Sequence, residues 1–213
     1  TYLFTGNNTT NVINNGIDLA GEGGLVWLKQ RGGSGSHGLY DTERGASKII
    51  SSNSTDAQFT GTDMSSFNSN GFTMGVANQS NFNNPNASSV SWTFRKKKKF
   101  FDVVTWTGNA VAGREIAHGL GGSVGMIVVK RTSGTTGWAT WHRSANSGNA
   151  YLELNEVDAQ NTNGKYYWGN NTNYIAPTST EFTVATDSVV NANGQTYVAY
   201  LFADNSSEDA DDQ

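Results

Sequence analysis

Five short segments of this chain recur in the same order after roughly a hundred residues, which constrains it to fold as two copies of one small unit. YLFTGN at 2–7 returns as VTWTGN at 104–109, placing Phe4 and Trp106 102 positions apart. GLVWLKQR at 24–31 answers GMIVVKRT at 125–132, with Lys29 and Lys130 separated by 101. GLYD at 38–41 matches ATWH at 139–142, and NGFTMG at 70–75 matches TEFTVA at 180–185. SSVSWTFR at 88–95 closes the first copy and TYVAYLFA at 196–203 the second, Phe94 and Phe202 being 108 apart. Drift of a few residues between landmarks is what loops of unequal length produce. The expected units are 1–98 and 99–204, followed by an acidic tail, 205–213, whose largest apolar residue is Ala210 and which is expected to fray.

The period inside each unit is two, the period of a strand. In LVWLKQ, Leu25, Trp27 and Lys29 point one way and Val26, Leu28 and Gln30 the other. In SVSWTF, Val90, Trp92 and Phe94 alternate with Ser89, Ser91 and Thr93, predicting an apolar face turned inward. MIVVK at 126–130 is apolar on both faces, as suits a strand in mid-sheet. Asn15-Gly16, Asn70-Gly71, Asn163-Gly164 and Asn193-Gly194 supply residues that tolerate the positive φ of hairpin turns. Only 15% of residues are charged while 25 are glycine, and 10 Phe, 6 Trp and 8 Tyr supply apolar surface enough to fold. The expected fold is all-β: two tandem small antiparallel β-sandwich units arising by internal duplication.

A net charge of −4 and a pI near 5.3 give no overall field for nucleic acid or anionic lipid. The basic run at 95–99 lies between two predicted strands, where a solvated linker would keep the strand ends from pairing with a neighbour, an anion or membrane patch being the alternative. With no cysteine, stability must come from packing or assembly. No stretch approaches the ~20 apolar residues of a membrane span, and TYLFTGNNTT lacks the basic and apolar regions of a signal peptide.

WTFRKKKKFFDVVTWTGN followed by REIAHGLGGSVGMIVVKRT resembles a repeat domain of tail-fibre and other appendage proteins of marine tailed phages. There an aromatic strand leads into FFDVV and then an IAHxLG turn before an apolar strand. The first unit is similar, with GLVWLKQR, LYDTERGASKIISSNSTDA and SFNSNGFTMG, so the likeness runs from Tyr2 to about Asp204. Two departures are visible: four consecutive lysines at the junction, and DLAGEGG at 18–24 where the second unit has its HxLG turn. The resemblance implies β structure and location on a virion, and it carries no catalytic residues.

A search for chemistry returns little. His118, among Gly119, Leu120 and Gly121, is best placed to hydrogen-bond the backbone of a turn. His37 lies in a Gly/Ser loop, and His142 falls where the first unit has Asp41, so no shared metal site is expected. Asp41 with Glu43, and Glu153 with Glu156 or Asp158, are the carboxylate pairs to weigh for glycan hydrolysis, with solvation or turn hydrogen bonds as the simpler account. GKYYWGNNTNY at 164–174 is the stretch suited to recognition: alternation sets Tyr166 and Trp168 on one face and Tyr167 on the other, beside Asn170, Asn171, Asn173 and Tyr174. Exposed rings next to amides suit sugars or a neighbouring subunit, while core packing of Tyr166 and Trp168 is the alternative.

The expectation is therefore a non-enzymatic virion structural protein, a tail-fibre or appendage module contributing to host attachment or subunit assembly. Its expected partners are copies of itself as a homo-oligomer, other virion proteins and a host cell-surface glycan, without nucleic acid, membrane insertion, metal or cofactor. A secreted carbohydrate-binding module is the alternative, and a glycan depolymerase the weaker one.

Overall fold

The computed structural model describes residues 1–77 and 80–204, so the expected tail at 205–213 lies outside the described residues. The chain divides into two compact units, Thr1–Lys96 and Lys97–Gln213, each built almost wholly of antiparallel strands. The division falls two residues earlier than the sequence suggested. Lys97 already belongs to the second unit, because its N–H and carbonyl both pair with Phe101.

The first unit contains β1 (Tyr2–Thr5), β2 (Asn11–Asn14), β3 (Gly24–Gln30), β4 (Gly38–Asp41), β5 (Lys48–Ile49), β6 (Phe59–Thr60), β7 (Met64–Asn68), β8 (Gly71–Met74) and β9 (Ser88–Arg95). One sheet has the order β1-β9-β3-β4 and a second β2-β8-β7, with β5 and β6 paired beside them. Val26, Leu28 and Tyr40 from the first sheet close on Ile13, Met64, Phe72 and Met74 from the second, which makes the unit a small sandwich. Each such fully buried side chain contributes about 1.5–3 kcal/mol.

The face of β9 that meets this core is not the one alternation suggested. Ser91 lies opposite the core residue Leu28, so Ser89 and Ser91 are fully buried on the inner side, whereas Trp92 and Phe94 share the other face with Trp27 and Leu25. Ser89 Oγ donates to the carbonyl of Phe82, itself a core residue, at 2.8 Å.

The second unit contains β10 (Phe101–Thr107), β11 (Arg114–Ala117), β12 (Val124–Arg131), β13 (Trp138–His142), β14 (Leu152–Glu153), β15 (Glu181–Val184), a single helical turn α1 (Ser188–Asn191) and β16 (Thr196–Ala203). Its main sheet runs β10-β16-β12-β13-β14, and β11 pairs with β15. Ile127, Val129, Trp141 and Leu201 pack against Ile116, Phe182 and Val184, with Trp106, Tyr167 and Trp168 completing the core.

The two units agree in register as well as in strand order. Phe4 faces Ser89, which faces Gln30; Trp106 faces Tyr197, which faces Arg131. In each unit the opening TGN holds one backbone device. Gly6 is obligatory because a Cβ would sit 2.3 Å from the carbonyl oxygen of Asn84, and Gly108 because it would sit 2.1 Å from that of Ala192. The following Asn accepts from the N–H two residues on, Thr9 at 2.9 Å and Val111 at 3.0 Å, across the left-handed residues Asn8 (φ 56°) and Ala110 (φ 55°). Lys29 and Lys130 also correspond. Each ammonium caps a carbonyl of the hairpin that follows, Gly35 at 2.5 Å and Thr136 at 2.6 Å. Three of the four Asn-Gly turns have glycine at positive φ (Gly16, Gly71 and Gly194); Gly164 instead opens a 3-10 turn.

Candidate functional site

The units differ most between their fourth and closing strands, where the second carries a longer excursion, residues 143–180. No strand runs through 164–174. Gly164–Tyr166 is a short 3-10 turn in which Gly164 O accepts from Tyr167 N at 3.0 Å and Trp168 N at 2.7 Å. A 3-10 turn spaces side chains by a third of a turn rather than by halves, so the alternation of Tyr166 and Trp168 against Tyr167 does not hold. Tyr167 and Trp168 go inward and are 6% and 1% exposed, while Tyr166 is 46% exposed.

The residues around Tyr166 in sequence are locked in place. Tyr167 stacks on Tyr151 with centroids 3.9 Å apart and meets Trp168 edge-on at 6.2 Å. Tyr167 O accepts from Ala185 N at 3.1 Å, tying the loop to the end of β15. Trp141 Nε1 reaches Gly148 O at 2.8 Å and the Tyr174 hydroxyl at 3.2 Å, which leaves Tyr174 half-buried. Asn170 spends its side-chain oxygen on Thr172 N and Asn173 N, and Asn171, at φ 68°, donates to Thr186 Oγ1 at 2.8 Å. Of the six residues proposed from the sequence, Tyr166 alone presents an exposed ring; Tyr167 and Trp168 belong to the core, and Asn170, Asn171 and Tyr174 hold the loop in shape.

Three neighbours escaped the sequence reading as a group. Lys165 sets its ammonium 5.2 Å from the Tyr166 ring centroid, Tyr151 supplies the stacked partner, and Glu153 lies on β14 nearby. Burial raises the Glu153 carboxyl above its ordinary value, and the carboxylates of Glu156, Asp158 and Asp187 push it the same way. Burial first, then Asp187, drives the Tyr167 hydroxyl strongly upward, so it remains a proton donor. The surface thus offers an exposed aromatic ring with the Lys165 ammonium against it, and carboxylates clustered at the neighbouring Glu153 and Tyr167. It can stack on an apolar ring face and accept hydrogen bonds from hydroxyls.

The other carboxylates weighed for catalysis are held by cations. Asp41 accepts from Arg44 Nε at 2.6 Å, and Glu43 pairs with Lys96 at 2.8 Å. His118 behaves as a turn residue, its Nδ1 accepting from Leu120 N at 3.3 Å beside Asp102, which holds Gly119 N at 2.6 Å. Among the described residues no His, Asp or Glu group could hold a metal ion, and no helix is long and apolar enough to cross a membrane.

Fold and surface together define an all-β protein of two sandwich-like units. The chain belongs to the family described as Domain of unknown function (DUF7483), whose model matches residues 1–207 and therefore spans both units. No curated protein and no solved structure matches it.

Proposed function

We propose that this chain is a non-enzymatic structural module of a phage virion, part of a tail fibre or other appendage, that arose by internal duplication and contributes to host attachment or subunit assembly. The likeness of the junction and of the IAHGLGG segment to phage appendage repeats supports the location. The observation that carries the contact role is Tyr166, a ring left 46% exposed next to two aromatic residues that are buried in the core. Stacking on one such ring contributes about 0.5–1.5 kcal/mol beyond area burial, too little for a single copy to hold a cell. Attachment then depends on many copies acting together, in a homo-oligomer joined to other virion proteins and directed at a cell-surface glycan. An antibody raised against the chain should decorate an appendage of the phage particle in electron micrographs; label confined to infected-cell debris would refute the assignment.

A glycan-cleaving reading rests on one observation, the raised Glu153 carboxyl beside Glu156 and Asp158, since a protonated carboxyl is what a general acid needs. Release of reducing ends from host polysaccharide, abolished by Glu153→Gln, would establish that reading in place of the first.

A further inference from the structure

The hairpin that joins β3 to β4 in the first unit, RGGSGSH at 31–37, has no apolar side chain with which to pack. Among the described residues no N–H of 32–36 donates to a backbone carbonyl, and residues 32–34 and 36 are exposed. Its shape therefore rests on side chains at its base. Lys29 on β3 donates to Gly35 O at 2.5 Å and Gly33 O at 3.4 Å, and His37 N donates to Asn53 Oδ1 at 2.9 Å. The remaining tie is between two rings. Trp27 Nε1 donates to His37 Nδ1 at 2.8 Å, with the rings edge-on at 5.8 Å, and Trp27 is itself set by Trp92 of β9, edge-on at 6.3 Å.

The chemistry of that bond allows one protonation state. An indole N–H only donates, so His37 Nδ1 must present its lone pair and the neutral ring carries its proton on Nε2. A second proton has only Nδ1 to enter, where it would meet the Trp27 N–H head-on. It would also place a positive charge near Lys29, the charged group that faces the imidazole; Trp27 beside the ring and Asn53 on its backbone N–H are neutral. Burial first, then Lys29, lowers the His37 pKa below 6.5. The bond is therefore complete above about pH 6.5 and is lost as pH falls through the folded value. The second unit keeps the lysine cap, Lys130 on Thr136 O, but has Val128 paired with Thr140 where the first has Trp27 paired with Leu39, and so it lacks this tie.

We propose that Trp27 and His37 form an acid-released latch on the 31–37 hairpin, closed while the imidazole is neutral and opened by protonation of Nδ1, which frees the glycine-rich turn and bares the edge of Trp27. The latch does not involve Tyr166 and stands apart from the attachment role. Nuclear magnetic resonance on the isotopically labelled full chain tests it, with the Trp27 indole N–H signal assigned by its loss in Trp27→Phe. On acidification from about pH 8 to about pH 5 that signal should shift in a single step with a midpoint below 6.5, and the backbone order parameters of 32–36 should fall below about 0.6 with the same midpoint. His37→Asn, which retains an acceptor that does not titrate, should hold the indole signal and the order parameters at their neutral-pH values throughout. The wild-type transition should also persist in a His118→Gln background. An indole signal that stays fixed while the His37 ring titrates would overturn the proposal. So would a loop whose order does not change with the indole, a His37→Asn variant that titrates like the wild type, or a transition that disappears with His118.

Discussion

Asn83 and Asn191 make the same three hydrogen bonds, each inside its own unit. Asn83 Oδ1 accepts from Asn7 N at 3.2 Å, and its Nδ2 donates to Thr9 O at 2.8 Å and Gly75 O at 2.6 Å. Asn191 Oδ1 accepts from Asn109 N at 3.0 Å, and its Nδ2 donates to Val111 O and Ala185 O, both at 2.9 Å. Both residues are 0% exposed. Each side chain thus clips the loop after the opening TGN to the end of a strand in the second sheet, and the buried amide is itself fully satisfied in doing so.

Removing either clip should be costly. Asn83→Ala or Asn191→Ala leaves two carbonyls and one N–H without these partners and should lower unfolding free energy by about 1–3 kcal/mol. Urea denaturation followed by tryptophan fluorescence measures it, and a loss below about 0.5 kcal/mol would mean that the clips are redundant.

The aromatic loop should separate into support and surface. Trp168→Ala and Tyr167→Ala empty core volume and should each destabilise by about 3–5 kcal/mol, whereas Tyr166→Ala should cost no more than about 0.5 kcal/mol. Thermal unfolding of the three variants side by side checks the order. A Tyr166→Ala variant as unstable as Trp168→Ala would make that ring structural.

His118 should give the fold a pH dependence. Burial lowers its pKa below 6.5, outweighing Asp102 and the nearby carbonyls of Thr178 and Glu181, which favour the cation. Between the folded value and 6.5 the unfolded chain binds the extra proton, so this contribution is complete above about pH 6.5 and declines as pH falls toward the folded value. The midpoint difference between the wild-type chain and His118→Gln should therefore shrink on acidification from pH 7.5 to 5.5. A constant difference would mean that the imidazole does not titrate with folding.

Landmarks on regular strands were legible because period two and cross-strand pairing leave each residue one side to occupy. Phe4 with Trp106, Lys29 with Lys130 and Phe94 with Phe202 fall at matching register positions in their sheets. Which face turned inward was harder to read. Hydrophobicity favoured Trp92 and Phe94, yet pairing of Ser91 with the core residue Leu28 sets Ser89 and Ser91 on the core side. At 164–174 the failure had a different cause. Asn163-Gly164 reads as a hairpin turn, but Gly164 begins a 3-10 turn, and the stacking of Tyr167 on Tyr151, thirteen residues before Gly164, decides which ring is left outside. Such contacts depend on chain packing that no local period encodes.

The most direct test of the attachment account is adsorption of the chain, displayed in many copies on a bead or particle, to host cells. Tyr166→Ala should reduce adsorption at least about tenfold while leaving the unfolding midpoint unchanged, because a small loss per copy multiplies across an avid array. Adsorption equal to that of the wild-type display, with the fold intact, would contradict the claim that this ring meets the host surface.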